Sequence, residues 1–217
     1  MNYRIEYCHK KQDFLDVWNI ENQYLEPYTI SSVDQVIDWN NKNNDTHIFV
    51  RDLIKDKIVG EITFLPLSKE QFDKFMSNEL EDTEIDGNSL CNYENGKSYY
   101  LLFPAIAIDK DYRNDRRILS LLLKGFNHKL NELINRNIIF LNMCAEGQTS
   151  DGQKFIENFL NLKYQQNTKE DYKLYSFDTD KEFDDWLKTF PKYIEEYNSM
   201  YDNKIWKIYI KQESVLI

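Results

Sequence analysis

Two continuous apolar segments, separated by one amphipathic helical segment, constrain the fold of this chain more than any other feature. Residues 99–108 (YYLLFPAIAI) and 138–144 (IIFLNMC) are almost entirely apolar, which predicts strands buried on both faces. The segment between them, residues 116–135, carries apolar side chains at helical spacing: Leu119, Leu122, Phe126, Leu130 and Leu133. A strand, a long helix and a second strand form a βαβ unit with parallel strands. The sequence therefore predicts an α/β domain.

The rest of the chain adds strands and helices around this unit. Further strands are predicted at residues 3–8, 47–51, 58–67, 172–177 and 204–211. Helices are predicted at residues 11–24, after the capping residues Ser31 and Ser32, and at 152–162. The first helix is expected to bury Phe14, Leu15, Trp18 and Leu25. We expect residues 1–217 to form a single domain with two inserts, an acidic one at 68–98 and a helical one at 179–203, interrupted at Pro191.

Composition excludes several classes of protein. Of the 217 residues, 41% are hydrophobic and 15% aromatic, enough for one core, and the net charge is −10. That charge argues against nonspecific nucleic-acid binding, which needs a basic surface. No apolar run reaches the roughly 18 residues that span a bilayer, and the first residues lack the apolar core of a signal peptide. With three widely spaced cysteines, we expect a cytoplasmic protein without membrane or nucleic-acid partners.

The turn before the central helix, residues 109–115 (DKDYRND), is followed directly by two arginines. Arg116 and Arg117 fall in the first helical turn, where the macrodipole disfavours cations by about 0.3–1 kcal/mol each. A bound phosphate reverses the sign of that effect, and the N–H groups of a helix N-terminus point at such an anion. The alternative is that both arginines reach into solvent and pair with neighbouring acids: Asp109, Asp111 or Asp115.

The order of elements and the residues at this turn resemble the GNAT family of N-acetyltransferases. In that family a strand ending in Val-x-Pro-x-Tyr-Arg leads into Gly-x-Gly-x-Gly and then a helix. Here the strand exit is IDKDYR, residues 108–113, with Lys110 at the proline position. Asn114, Arg116 and Ile118 occupy the three glycine positions. The resemblance implies a GNAT-like mixed, mostly antiparallel sheet with a central parallel βαβ unit flanked by helices.

The resemblance also implies a coenzyme A site. Backbone N–H groups of the turn would bind the pyrophosphate, and the pantetheine arm would lie between the two apolar strands. A backbone N–H near Ile106 would polarise the thioester carbonyl. The residues expected to contact acetyl-CoA are Ile106, Ala107, Ile108, Arg113, Asn114, Asp115, Arg116, Arg117 and Ile118. Without glycines, the turn either adopts left-handed dihedrals at about 1–2 kcal/mol per residue or begins the helix with ordinary dihedrals.

Candidate catalytic residues are few. The resemblance offers Glu61, on the strand before the acidic insert, and Glu146, at the end of the second apolar strand, as general bases. The alternative for each is a solvated carboxylate at a strand end. Phe159 falls where the family has its catalytic tyrosine, so the usual acid is missing. Tyr164 or Tyr100 could replace it, and a core aromatic role is the alternative for both.

The resemblance implies acyl-CoA-dependent N-acylation, with acetyl-CoA as donor, by direct attack of a small-molecule or peptide amine. One alternative is a non-catalytic GNAT-like binding or regulatory protein that keeps the fold and coenzyme A binding. Another is an unrelated α/β protein whose turn binds nothing.

The two inserts leave several roles open. The first carries eight acids, which suit a cationic acceptor and otherwise make a solvated loop: Glu70, Asp73, Glu79, Glu81, Asp82, Glu84, Asp86 and Glu94. The aromatic stripe of the second packs on the sheet, forms a homodimer contact or covers the active site. Residues 82–87 resemble half a calcium loop, but Tyr93 stands at the twelfth position, which needs Glu. Because the three histidines are scattered as well, no metal is expected.

Overall fold

A computed structural model describes residues 2–202 and places a seven-stranded mixed sheet between helices. The strands are β1 (Tyr3–Glu6), β2 (His47–Asp52), β3 (Lys57–Leu67), β4 (Ser98–Ile108), β5 (Ile139–Gly147), β6 (Lys163–Asn167) and β7 (Lys173–Ser176). The helices are α1 (Lys11–Glu21), α2 (Val33–Lys42), α3 (Lys69–Met76), α4 (Arg116–Asn135), α5 (Ser150–Phe155) and α6 (Asp180–Asp202). A π-helical turn, Ile156–Leu160, continues α5. The strand order is β1-β2-β3-β4-β5-β7-β6.

The central βαβ unit is confirmed. β4 and β5 pair in parallel and α4 connects them, whereas the other pairs of neighbouring strands are antiparallel. The parallel pairing ends at Phe103 opposite Ala145, and β4 continues alone on that side to Ile108. The expected burial on both faces is therefore wrong for residues 104–108, which are half-buried because β5 has moved away from them.

Helix α4 packs closely on the sheet through a glycine. A Cβ on Gly125 would lie 2.6 Å from Cγ2 of Ile48 in β2, so a larger residue would push the helix away. This close contact offsets the roughly 1 kcal/mol that a glycine costs inside a helix. The predicted stripe of α4 is buried except at Leu119, which is only partly covered, while Ile118 beside it is fully buried.

Helices α1 and α2 cover the opposite face of the sheet. Ser32 caps α2 as predicted, its hydroxyl accepting from Gln35 N at 3.2 Å. The predicted face of α1 is wrong, because the helix buries Phe14, Val17 and Ile20, whereas Leu15 is 36% exposed. Both stripes have helical spacing, and only the position of the sheet chooses between them.

The acidic insert is anchored to α2. It contains α3 and two short 3-10 turns, Asp82–Glu84 and Gly87–Ser89. The indole N–H of Trp39 donates to Ile85 O at 2.6 Å, and Gln35 Nε2 donates to the same carbonyl at 2.7 Å. The insert therefore lies against the α2 side of the sheet instead of extending into solvent.

The C-terminal part differs from the predictions in two respects. Helix α6 runs through Pro191 without a break, and its aromatic stripe packs on the α4 side of the sheet: Phe183, Trp186, Phe190 and Ile194. Strand β6 was not predicted, because its sequence, KYQQN, is polar and lies at an exposed sheet edge. The predicted final strand, residues 204–211, lies outside the described residues. No helix within residues 2–202 combines the length and the apolar character that a membrane crossing requires.

Candidate functional site

The divergence of the central strands opens a split beside β4. On its other edge β4 stays paired with β3, and the bond from Asp109 N to Val59 O sets the alternation of that antiparallel ladder. By this alternation Ile106 and Ile108 direct their N–H groups away from β3, into the split, while Ala107 pairs with β3. Within the described residues no strand pairs with 104–108 on the β5 side.

The turn that follows β4 begins the helix with ordinary dihedrals. Asn114, Arg116 and Ile118, which occupy the family's glycine positions, have no positive φ, so the missing glycines create no backbone strain there. Asp115 is the N-cap of α4 and accepts from Arg117 N at 3.1 Å. The N–H of Ile118 bonds to Asp115 O at 3.0 Å, so the chain itself satisfies part of the helix N-terminus.

The arginines of the turn form ion pairs. The guanidinium of Arg117 pairs with Asp115, which it holds at a lowered pKa, and lies 5.0 Å from the ring centre of Tyr3. Arg113 pairs with Asp151 at the start of α5. The alternative of local pairing therefore holds for Arg117, and the phosphate-binding role of residues 113–118 stays a prediction.

On the α1 side of the sheet, next to the split, lies a small cavity. It has a volume of about 40 Å³, room for a few water molecules, and Pro104 and Ala105 of β4 form part of its wall. Three carboxyl groups line it: Glu21 from α1, Glu61 from β3 and Asp82 from the acidic insert. The structure thus brings the predicted Glu61 to the place where β4 and β5 separate.

Glu61 is buried rather than solvated, so the expected solvated alternative is wrong for it. Its side chain is 1% exposed, and its carboxyl shares a hydrogen bond with that of Glu21, while its Oε1 atom accepts from no described N–H or hydroxyl group. Burial raises the pKa of Glu61, and the neighbouring carboxyl of Glu21 raises it further. Burial also raises the pKa of Glu21. Two carboxyl groups in one buried place cannot both ionise cheaply, so the pair retains a proton near neutral pH.

Hydrogen bonds through Thr63 and His47 orient the Glu61 carboxyl. Thr63 Oγ1 donates to Glu61 Oε2 at 3.3 Å and lies 2.9 Å from His47 Nδ1. Burial lowers the pKa of His47 to about 3, so its ring stays neutral. If Nδ1 carries the proton, the ring donates to Thr63, and the threonine hydroxyl is free to donate to Glu61.

Glu146, the second predicted base, is half-buried at the end of β5 and lines a second, smaller cavity together with Glu81 and Glu170. Burial raises the pKa of Glu146 to about 7 and that of Asp82 to about 6. Gln148, which lines the first cavity, donates to Glu146 Oε1 at 2.9 Å. Glu146 is therefore adjacent to the Glu61 cavity.

The tyrosines proposed as acids lie elsewhere. Tyr164 is 53% exposed on the edge strand β6, where its hydroxyl donates to Asn167 Oδ1 at 3.0 Å, and it lines neither cavity. Tyr100 is buried against Phe72, with ring centres 4.6 Å apart, as its core alternative expects. Phe159, at the family's tyrosine position, stacks on a neighbouring phenylalanine of α5. The role of Tyr164 stays a prediction that this placement does not favour.

Sequence reasoning missed Glu21 and Asp82. Glu21 lies seven residues after Phe14 and four residues after Val17, so it falls on the buried face of α1. A charged residue at such a position was the signal that could have found it. Asp82 lies in a run of acids that nothing in the sequence distinguishes. Asp86 of the same segment caps its own turn, accepting from Ser89 N at 2.8 Å. Within residues 2–202 no three His, Cys, Asp or Glu side chains are grouped so as to hold a metal ion.

Comparisons with known proteins find solved structures of similar fold but no match by sequence. No protein-family model and no curated protein matches the chain. It is similar to a chain of the NatC complex bound to Gag peptide and CoA, with a TM-score of 0.53, 7% identity, and coverage of 81% of this chain and 96% of that chain. It is also similar to the loading GNATL domain of CurA from Lyngbya majuscula, with a TM-score of 0.53, 12% identity, and coverage of 81% and 97%. At these identities the likeness establishes the fold.

Proposed function

We propose that this chain, whose fold is that of the GNAT acetyltransferases, is an acyl-CoA-dependent N-acyltransferase. Acetyl-CoA is the proposed donor, and an amine attacks its thioester directly. The observation that carries the proposal is the split beside β4, where the Ile106 N–H points toward the place that a thioester would occupy and the Glu21–Glu61 carboxyl pair lies on the adjoining face of the sheet. A solved structure of similar fold is bound to CoA.

The two sides of the split have different proposed tasks. On the donor side, the end of β4, the turn and the first residues of α4 would contact coenzyme A, with Arg113, Arg116 and Arg117 near its phosphates. On the acceptor side, the buried pair would take the proton that the amine must lose. A carboxyl whose pKa is raised toward neutral pH is a better general base at that pH than an ordinary glutamate.

In the proposed step, the amine nitrogen forms a bond to the thioester carbon, the C–S bond breaks, and the coenzyme A thiolate leaves. The Ile106 N–H donates to the oxygen that becomes negative in the tetrahedral intermediate. The proton lost by the nitrogen passes to the Glu21–Glu61 pair, whose hydrogen-bond partner Thr63 keeps Glu61 in place. That proton then becomes available to the thiolate.

The test is calorimetry with acetyl-CoA, followed by an assay for thiol release across a panel of amines. We expect acetyl-CoA to bind, and Glu61→Gln to lower kcat by about 10²-fold or more while leaving the affinity for acetyl-CoA unchanged. Glu26→Gln, which changes an exposed glutamate near α1, is the matched control. If neither acetyl-CoA nor coenzyme A binds at millimolar concentration, the proposal is wrong. Binding without thiol release for any amine would favour the non-catalytic alternative.

The cytoplasmic location and the homodimer both stay predictions. Cys8, Cys91 and Cys144 are all free, which agrees with the reducing cytoplasm expected from the sequence. The homodimer contact stays a prediction.

A further inference from the structure

We propose that the amine acceptor is a slender aliphatic molecule with at least two positive charges, a linear diamine or polyamine. This inference rests on the proposed function and names the substrate class of the same site. One nitrogen would lie at the Glu21–Glu61 pair and react. A second, still protonated, would lie at Glu146 in the adjoining cavity.

The charges of the two adjoining cavities support a multiply charged cation. Six carboxyl groups line them, three in each: Glu21, Glu61 and Asp82 in the first, and Glu81, Glu146 and Glu170 in the second. Lys169 is the basic residue among the described lining residues, and its Nζ is 3.9 Å from Glu81. A monoamine at the Glu21–Glu61 pair would leave Glu146 in the second cavity without a countercharge.

A buried acceptor atom indicates that the cluster binds a donor. Glu61 is almost completely buried and lines the first cavity, and apart from the hydrogen bond that its carboxyl shares with Glu21, its Oε1 atom accepts from no described N–H or hydroxyl group. Gln148 Oε1, in the wall of the same cavity, is buried without a described partner. Buried polar atoms are nearly always hydrogen-bonded, so acceptors in one wall that receive no N–H group indicate a ligand that brings them.

The shape of the site indicates a narrow molecule. Around the second cavity, Asn78 Nδ2 donates to Asn167 O at 3.2 Å and Gln166 donates to Met76 O, which ties the end of α3 to the β6–β7 hairpin. On the other side, α2 holds the insert through Ile85 O. With elements joined on both sides, the cavities of about 40 and 10 Å³ suit a methylene chain better than a peptide backbone.

The test compares thiol release from acetyl-CoA with 1,4-diaminobutane and with n-butylamine, which has the same chain and one charge fewer. We expect kcat/KM to be at least about tenfold higher for the diamine, since a second buried charge pair adds that much. Glu146→Gln should remove most of this preference by lowering kcat/KM for the diamine. Glu94→Gln, which removes an exposed acid of the same insert that lines neither cavity, should preserve the preference.

The outcomes separate the two proposals. Acetyl-CoA binding with equal kcat/KM for the two amines, or with faster release for a peptide N-terminus than for either, overturns this inference and leaves the proposed function standing. Failure of acetyl-CoA to bind overturns the proposed function itself. A diamine preference that survives Glu146→Gln would show that the second charge of the diamine is bound elsewhere, and it would overturn the assignment of Glu146.

Discussion

The buried carboxyl pair is the residue-scale feature with the largest energetic consequence. Glu21 and Glu61 come from different elements and meet where burial raises the pKa of both. A group that binds its proton more tightly in the folded chain makes that chain less stable as pH rises from its unfolded pKa to its folded one. The pair therefore costs stability that grows as pH rises from about 4.5, so the cost is smaller at pH 5 and largest above neutral pH. A site that carries such a cost is expected to have a function.

Replacing one member of the pair should reveal this cost. Glu21→Gln removes one carboxyl and gives Glu61 an amide N–H donor, so we expect it to stabilise the fold by about 1–3 kcal/mol at pH 8 and to have little effect at pH 5. Thermal unfolding at the two pH values measures the difference. Comparison with wild type at each pH cancels the contributions of the half-buried His9 and the buried His47, whose lowered pKa values act in the opposite direction.

The exposed Glu26→Gln should give the same small change at both pH values. A stabilisation by Glu21→Gln that is equal at pH 5 and pH 8 would show that the pair does not hold a proton.

Asp115 competes with any anion at the start of α4. Its carboxylate caps the helix and pairs with Arg117, where the pyrophosphate of coenzyme A is proposed to bind. Asp115→Asn keeps a good capping residue and removes the negative charge. We expect several-fold tighter binding of acetyl-CoA by calorimetry and a small loss of stability, because the ion pair with Arg117 is removed.

Asp34→Asn makes the same change in the first turn of α2, on another helix, and should leave the affinity for acetyl-CoA unchanged. Weaker binding by Asp115→Asn would show instead that Asp115 orients Arg117 toward the ligand.

At the scale of elements, the divergence of β4 from β5 and the packing of α6 define the site and its support. Phe190 of α6 is 2% exposed and packs between Trp186, with ring centres 4.5 Å apart, and Phe126 of α4, at 5.8 Å. These contacts make α6 part of the core. The sequence pattern identified the aromatic stripe but left three roles for it.

Removal of one ring tests the packing role. Phe190→Ala should destabilise the fold by about 3–5 kcal/mol, as measured by denaturant unfolding, because it leaves a cavity among aromatic rings. Lys188→Ala, which changes an exposed residue of the same helix, should cost less than about 0.5 kcal/mol. A small effect of Phe190→Ala would indicate that α6 is a detachable cover.

For the whole molecule, the proposed acceptor and donor sides are built from largely different parts of the chain and meet at β4. The proposed acceptor side joins α1, α2, β3, the acidic insert and the end of β5, with Pro104 and Ala105 of β4 in its wall, whereas the proposed donor side is the continuous segment from β4 into α4. Trp39 links two of the acceptor parts, since its indole N–H donates to Ile85 O and its ring lines the first cavity.

Loosening that link should affect one side only. Trp39→Phe is expected to raise KM for the amine several-fold and to leave the affinity for acetyl-CoA within about twofold, because the hydrogen bond it removes joins two parts of the proposed acceptor side. Trp186→Phe, the same change in a tryptophan on the other face of the sheet, should alter neither value. Parallel losses in both values for Trp39→Phe would show that the two sides are not independent.

The sequence predicted more of the fold than of the site. Local patterns predicted the parallel strand pair, helix α4 and the Ser32 cap. They did not predict the buried face of α1, because the pair Phe14 and Val17 and the pair Leu15 and Trp18 both have helical spacing. In the candidate site, Glu61 was predicted and Glu21 and Asp82 were not. Asp82 stands in a run of acids with no distinguishing pattern, and the stripe that carries Glu21 could be recognised only once the buried face of α1 was known.

By itself the sequence determined the βαβ centre, because apolar runs and helical periodicity are properties of neighbouring residues. It also determined the mixture of acids and arginines around the start of α4. Only the tertiary structure decided that β5 leaves β4 after Phe103, that Asp115 rather than solvent pairs with Arg117, and that carboxyl groups from α1, β3, the acidic insert and β5 meet in two adjoining cavities. The physical reason is that the free-energy cost of burying a charge, and therefore the pKa of a carboxyl group, depends on which groups surround it and exclude water. Only packing brings those groups together from distant parts of the chain.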